Sequence, residues 1–285
     1  MELTEEAGPR PQSGTAQPAE TGSTIGAALT GAGRTIDVGA DLWGFGGVHG
    51  GLALALVTRE MTQALPDRRL RTVGGHFLAA IRRPATIETS VLRRGRQASA
   101  VRGEVHDDRG TRLVATALFG RARSDGDERT HAAAPHAPAM PSAPPPDALD
   151  RYLVPPEFAP FTVHLDIRPV GDARPFAGGD DPELVAWIRM VEDDEPPDLL
   201  RLITLTDALA PSYAAVLAQP QMLPTLALEV RPTAPPGATS SPWVLLRARS
   251  VSATADGWVD ERIDLWSPDG IHLASADQTR LLVGD

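Results

Sequence analysis

The chain has 285 residues, 42% hydrophobic and 22% charged, with a net charge of −10 at pH 7, which supplies core for one large or two ordinary domains and argues against a general nucleic-acid binder. Cysteine is absent and all 27 basic residues are Arg, which excludes disulfides, thiolate metal sites, cysteine nucleophiles, P-loops, Schiff bases and Ser-Lys dyads. No run of ~18 apolar residues offers a membrane span, and the acidic opening Met1-Glu2-Leu3-Thr4-Glu5-Glu6 is unlike a secretory signal, so the expected setting is cytoplasmic, without membrane insertion.

Residues 1–32 are rich in Gly, Thr, Ala, Pro and Glu without apolar periodicity, which predicts a disordered tail with order beginning near Ile36. The glycine-dense stretch Asp41-Leu42-Trp43-Gly44-Phe45-Gly46-Gly47-Val48-His49-Gly50-Gly51 leads into an apolar helix over 52–64. Glycines there allow tight turns and close packing of helix on sheet. The stretch is not a dinucleotide fingerprint, because the spacing differs and no strand leads into it. Strand patterns follow at 70–78, 86–92, 98–106 and 112–119, with Asp107-Asp108-Arg109-Gly110 as a hairpin turn. Residues 121–160 turn to Arg, Asp, His, Ala and Pro, including Pro144-Pro145-Pro146, and read as a linker with solvated histidines.

The second half begins with a strand at 183–190. Leu199, Leu202, Ile203, Leu205 and Leu209 then recur at helical spacing, and Pro211 ends or bends that helix. Strands are expected at 225–231, 243–254, 257–266 and 271–283. Several short pieces match the first half in order. Leu70-Arg71-Thr72-Val73 pairs with Leu223-Pro224-Thr225-Leu226, and Arg102 to Gly110 runs parallel to Arg262 to Gly270. Leu113-Val114-Ala115-Thr116-Ala117 echoes His272-Leu273-Ala274-Ser275-Ala276. The chain therefore reads as two copies of one unit, 33–122 and 159–285, joined by a Pro/Ala-rich linker at 123–158.

The copies differ where polar residues interrupt apolar runs. Asp207 lies inside the second helix pattern, where a buried carboxylate is either a site or a paired structural group, since isolated buried charge is costly. Its counterpart falls in or near His49-Gly50-Gly51. With one residue of slippage after the glycine turn, Phe119 lies opposite Gln278, while a strand-opening hydroxyl, Thr72 or Thr225, occurs in both copies. The second copy alone combines a carboxylate, a hydroxyl and an amide. Gln278 is either outward-facing or, if buried, in need of hydrogen-bond partners. His49 and His76 are either bases or hydrogen-bonded core and helix-start residues.

A helix followed by an antiparallel sheet, twice in one chain, resembles the double hotdog, and both halves are similar to the type II acyl-CoA thioesterases and their actinobacterial relatives. The resemblance rests on Trp43 to Gly51, Gly75-His76-Phe77-Leu78, Val91-Leu92-Arg93-Arg94-Gly95-Arg96, the Asp207 helix and Leu273-Ala274-Ser275-Ala276-Asp277-Gln278. It spans 36–120 and 160–283. It implies an α+β double hotdog, each unit a long helix wrapped by an antiparallel sheet, that hydrolyses fatty or other acyl-CoA thioesters without cofactor or metal. Asp207, Thr225 and Gln278 take the catalytic positions and hold a water for direct attack; a Gly-x-Ser-x-Gly elbow for a covalent route is missing. A backbone N–H near the helix start would polarise the carbonyl.

Weaker substrate-binding candidates are His49, Gly50, Gly51 and His76. Arg93, Arg94 and Arg96 are candidates for the coenzyme A phosphates, or else a solvated turn. The family often carries polar residues after the strand Thr, where this chain has Leu226-Ala227-Leu228, and Ala208-Leu209-Ala210 after the Asp is also not a close match. The competing readings are a non-catalytic acyl-CoA or acyl-carrier binding protein, and a hotdog dehydratase or hydratase, which would want an Asp and a His together. Hotdog sheets join edge to edge, so the halves should form an internal pseudo-dimer, and the fold allows further homo-oligomer assembly.

Overall fold

In the computed structural model, which describes residues 24–121, 136–192 and 194–283, strands of alternating burial form one antiparallel sheet of eleven strands. The first unit supplies β1 (Thr35–Ile36), β2 (Arg68–Phe77), β3 (Ala85–Arg93), β4 (Ala98–Asp107) and β5 (Gly110–Arg121). The second supplies β6 (Leu165–Pro169), β7 (Glu183–Met190), β8 (Thr225–Pro232), β9 (Val244–Ala253), β10 (Trp258–Trp266) and β11 (His272–Leu281). Their spatial order is β1-β3-β4-β5-β2-β8-β11-β10-β9-β7-β6.

Each half of the sheet curls around a helix. Helix α2 (Gly50–Gln63) is buried almost all round, from Gly51 through Thr58 and at Glu60 and Met61, as expected of a helix enclosed by a sheet. Strand β4 rests directly on it at Gly103, where an added Cβ would lie 2.5 Å from Val57 Cγ1. The second helix, α3 (Leu199–Leu205), is half as long; its N-terminus is capped by Asp198, whose Oδ1 accepts from Arg201 N at 2.8 Å. The apolar spacing that ran on to Leu209 does not continue the helix. Thr206 is its C-cap, with Oγ1 donating back to Ile203 O at 2.7 Å, and the chain turns there, well before Pro211.

The units join where β2 pairs with β8, from Val73↔Val230 to His76↔Ala227. Both strands carry a bulge at corresponding places. In β2 the register against β5 passes from Leu70↔Phe119 to Thr72↔Leu118, skipping Arg71. In β8 the register against β11 passes from Thr225↔Arg280 to Ala227↔Thr279, skipping Leu226. Matching bulge to bulge sets Leu70 against Thr225, Ala117 against Gln278 and Phe119 against Arg280. This corrects the sequence alignment by two residues along β2 with β8 and β5 with β11, while Arg102 still answers to Arg262 on β4 and β10. Thr72 is not the counterpart of Thr225: its hydroxyl donates to Glu229 Oε1 at 3.1 Å across the seam.

Two segments differ from expectation. The tail expected through residue 32 gives way at Ile25, because residues Ile25–Thr30 form a helix, α1, whose Ile25 and Leu29 are buried in the core. Arg59 of α2 fastens its end, donating to Ala28 O, Leu29 O and Gly31 O at 3.2, 3.3 and 2.6 Å; residues 1–23 lie outside the described residues. The described part of the linker, 136–158, is laid against the second unit. Trp266 Nε1 donates to Pro138 O at 3.0 Å, Trp187 Nε1 to Pro144 O at 2.7 Å, and an Arg168 guanidinium nitrogen to Pro146 O at 2.9 Å. Its prolines supply carbonyl acceptors to buried tryptophans, a use that composition does not reveal. No helix among the described residues is long and apolar enough to cross a membrane.

Candidate active site

The end of α3 delivers Asp207 to the start of α2. Its Oδ2 accepts from Gly51 N at 2.9 Å, so the carboxylate sits where unpaired amides and the helix dipole favour negative charge. The approach is close enough to require glycine. A Cβ on Gly50 would lie 2.8 Å from Asp207 Oδ2, and one on Gly51 would lie 2.7 Å from Thr204 O. The first helix amide, Gly50 N–H, has no acceptor among the described residues.

His49 is the N-cap of α2. Its Nδ1 accepts from Leu52 N at 3.3 Å, which leaves Nε2 to carry the proton and donate to Asp207 O at 2.8 Å. Its ring stacks on Phe161 with centroids 3.8 Å apart. Burial pushes the imidazole pKa below its usual 6.5, against an opposing pull from the Asp207 carboxylate. A neutral ring is also what the cap requires, since an imidazolium has no lone pair for Leu52 N–H.

Strand β11 brings Gln278 in from the other side. The residue is 1% exposed, and its Nε2 donates to Asp207 Oδ1 at 2.7 Å and to Thr225 Oγ1, at the start of β8, at 2.6 Å. Two residues on, Arg280 faces the same way. It donates to Gln278 Oε1 at 2.9 Å, to Thr225 Oγ1 at 2.8 Å and, at 3.4 Å, to Asp207 Oδ1. With Gln278 Oε1 fixed by this cation, its amide nitrogen must point at the carboxylate and the hydroxyl. Thr225 Oγ1 accepts from both neighbours, so its own proton has no acceptor among the described residues and is free for a ligand. Glu261 on β10 balances the buried guanidinium, with Oε2 accepting from Arg280 Nε at 3.0 Å and Oε1 from Ser212 N at 2.5 Å.

His49, Asp207, Thr225 and Arg280 reach the inner wall of a cavity of about 350 Å³, with Gln278 and Glu261 packed behind it. Gly50, Asp207, Thr225 and Arg280 line it together with mostly apolar residues, among them Phe77, Ile81, Phe161, Ile167 and Leu184. The shape is that of a ligand pocket: apolar walls with a few converging polar groups. Its exposed rim is Phe45 with Leu78, Ala79 and Ala80.

The structure thus brings Asp207, Thr225, Gln278, His49, Gly50 and Gly51 together. It does not bring the other candidates. His76 alternates with the buried Gly75 on β2 and is exposed on the outer face of the sheet. Arg93, Arg94 and Arg96 lie at the opposite end of α2, where Arg94 donates to Ala64 O at 3.0 Å and Arg96 O accepts from Arg68 at 3.0 Å. The helix's fourteen residues separate them from Asp207. Arg280 and Glu261 went unread in the sequence. The spacing Gln278-x-Arg280 on one strand face carried a signal for the first, but the Glu261↔Gln278 register that brings its counter-charge is visible only in the folded sheet.

A helix-filled antiparallel sheet, repeated and fused at β2 and β8, with a carboxylate, an amide and a hydroxyl at the junction of the units, defines a double-hotdog protein. Residues 40–120 match the family model of the acyl-CoA thioesterase N-terminal domain and residues 135–282 that of the C-terminal domain. The chain belongs to this acyl-CoA thioesterase family. Among solved structures it is similar to a hotdog-fold protein of unknown function from Alicyclobacillus acidocaldarius, with 24% identity, a TM-score of 0.77, and 92% of this chain and 98% of that one covered. It is also similar to a putative thioesterase II from Thermobifida fusca, at 22% identity and TM-score 0.73 over 93% and 99% of the two chains. A third is an acyl-CoA thioesterase II from Mycobacterium marinum, at 20% identity and TM-score 0.66 over 83% and 89%. At these identities the likenesses show the fold. No curated protein sequence matches the chain.

Proposed function

We propose that the protein hydrolyses acyl-CoA thioesters by direct attack of water, with Asp207, Thr225 and Gln278 as the catalytic residues. One observation carries this reading: a carboxylate and a hydroxyl with an uncommitted proton, both held from behind by a buried amide, face the inner wall of an apolar cavity beside a free helix amide. Asp207 has its two oxygens oriented by Gly51 N–H and Gln278 Nε2, and a carboxylate so held keeps lone pairs for a water proton.

In this mechanism Asp207 takes a proton from the water as its oxygen attacks the thioester carbonyl carbon. Thr225 holds that water in line with its free hydroxyl proton, and Gln278, whose two N–H groups are spent on Asp207 and Thr225, fixes both of them, the positioning contribution to rate. The oxyanion forms against Gly50 N–H and the positive end of α2. Collapse of the tetrahedral species expels the thiolate, which recovers the proton from Asp207, so acid and thiol leave and the enzyme is unchanged. The acyl chain occupies the apolar cavity.

The test is thiol release from acyl-CoAs of short to long chain by wild type and by Asp207→Asn. The expected outcome is wild-type turnover that falls by roughly 10²–10⁴-fold in the variant, the usual size of a general-base contribution. Saturable acyl-CoA binding without turnover in the wild type would sink the enzyme reading and make this a binding protein.

A further inference from the structure

The strip 78–83 between β2 and β3 supplies part of the cavity rim through Leu78, Ala79 and Ala80, and it has a second side. Leu78 and Ala79 donate their amides to Arg112 O at 2.8 and 3.3 Å, which ties the strip to the start of β5, while Val48 N donates to Ile81 O at 2.9 Å and ties it to the glycine loop. Ala79 and Ala80 line the cavity and also a separate cleft of about 190 Å³, whose remaining walls are Arg82, Arg83, Asp107, Arg109 and Arg112. Four guanidinium groups against the two carboxylates of Asp107 and the adjoining Asp108 make a local positive excess in a chain of net charge −10.

Two of the four are already paired. Arg83 donates to both oxygens of Asp108 at 2.9 Å, and Arg112 to Asp107 Oδ1 at 2.7 Å, a bond that holds the Asp107 carboxyl below its usual pKa and keeps it charged. The other two are open. Arg82 spends only Nε, on Gly46 O at 2.5 Å. The remaining nitrogens of Arg82 and the whole Arg109 guanidinium have no acceptor among the described residues. On the opposite rim Arg174 is held by Gly171 O and Ala173 O, each at 2.8 Å.

We propose that this cleft receives the phosphate groups at the nucleotide end of coenzyme A. The inference rests on the thioesterase reading above. With the thioester at Asp207, the pantetheine arm crosses the rim at Leu78 to Ala80 and the phosphates come down on Arg82 and Arg109, whose planar forks match phosphate oxygens. A carrier protein presents the same arm without the phosphorylated adenosine, so the cleft favours the free coenzyme thioester over a carrier-bound one.

The test is calorimetric titration of adenosine 3′,5′-bisphosphate and of coenzyme A into wild type, an Arg82→Gln/Arg109→Gln double variant and Arg109→Glu. The last lies on an exposed hairpin turn and leaves the core untouched. Wild-type affinity should fall with added salt, and both variants should bind about tenfold more weakly or worse, as loss of a charge-assisted contact implies. The preference in kcat/KM for an acyl-CoA over the matching N-acetylcysteamine thioester should fall by about the same factor, through KM. Wild type that fails to bind the bisphosphate, variants with unchanged affinity, or a loss produced instead by Arg93→Ala/Arg96→Ala would each overturn the cleft. A wild type that hydrolyses neither thioester would defeat the thioesterase reading, while the titrations would still decide the cleft.

Discussion

Gly51 has room for a hydrogen and nothing more. A methyl group there would press on the Thr204 carbonyl and on Asp207 Cβ at 2.9 Å, and neither a backbone oxygen nor a Cβ can swing aside as the end of a long side chain can. Gly51→Ala should therefore cost about 1–3 kcal/mol, the usual range for overpacking, and should displace Asp207, so that turnover falls more than stability in paired denaturation and activity assays. Arg280 is sensitive in a different way. Arg280→Met would remove the cation that Glu261, 2% exposed, depends on, and breaking a buried ion pair on one side costs about 3–5 kcal/mol. Urea denaturation should show that loss, and Glu261→Gln added to Arg280→Met should recover part of it. Asp207 and Gln278 were legible in the sequence because each interrupts an apolar run. Glu261 was not, because its partner is brought alongside by strand pairing.

At the scale of elements, α2 depends on an uncharged cap. Since the folded His49 binds a proton less readily than the unfolded chain, unfolding takes up a proton at acidic pH. Stability is thus fully present above the unfolded value near 6.5 and is lost as pH falls from there toward the lower folded value. The urea midpoint should drop between pH 7.5 and 5.5. In His49→Asn, which keeps a side-chain acceptor for the cap, that drop should shrink; an undiminished drop would assign the pH dependence to another group. The strand pattern along the chain was readable from alternation, and β7 was found at its observed limits. The short strands β1 and β6 were missed, since two and five residues carry too little periodicity. Helix α3 was placed but overextended, because apolar spacing continues past Thr206 while its hydroxyl bond back to Ile203 sits at the end of the helix.

At the scale of the whole molecule, the site belongs to neither unit alone: Gly51 N–H comes from the first, and Asp207, Thr225 and Gln278 from the second. Splitting the chain within the linker should leave each fragment inactive and prone to aggregate, with the edges of β2 and β8 unpaired. Co-expression of the fragments should restore turnover through the β2–β8 seam; activity in the second fragment alone would show that α2 is dispensable. The duplication was legible because the order of matching pieces is preserved, but its register was not: the bulges at Arg71 and Leu226 match and leave the count alone, whereas Val105↔Leu113 answers to Leu265↔Ala274, so the second hairpin turn is one residue longer.

Those paired bulges also fix a stoichiometry. Leu70, Ala117 and Phe119, the positions answering to Thr225, Gln278 and Arg280, are apolar and buried at 3%, 1% and 0% exposure. A dimer of identical hotdogs must furnish both of its symmetry-related junctions or neither. Fusion into one polypeptide lifts that restriction, and here one junction has become solid core. Titration with a non-hydrolysable thioester analogue should accordingly saturate at one equivalent per polypeptide, however many polypeptides associate.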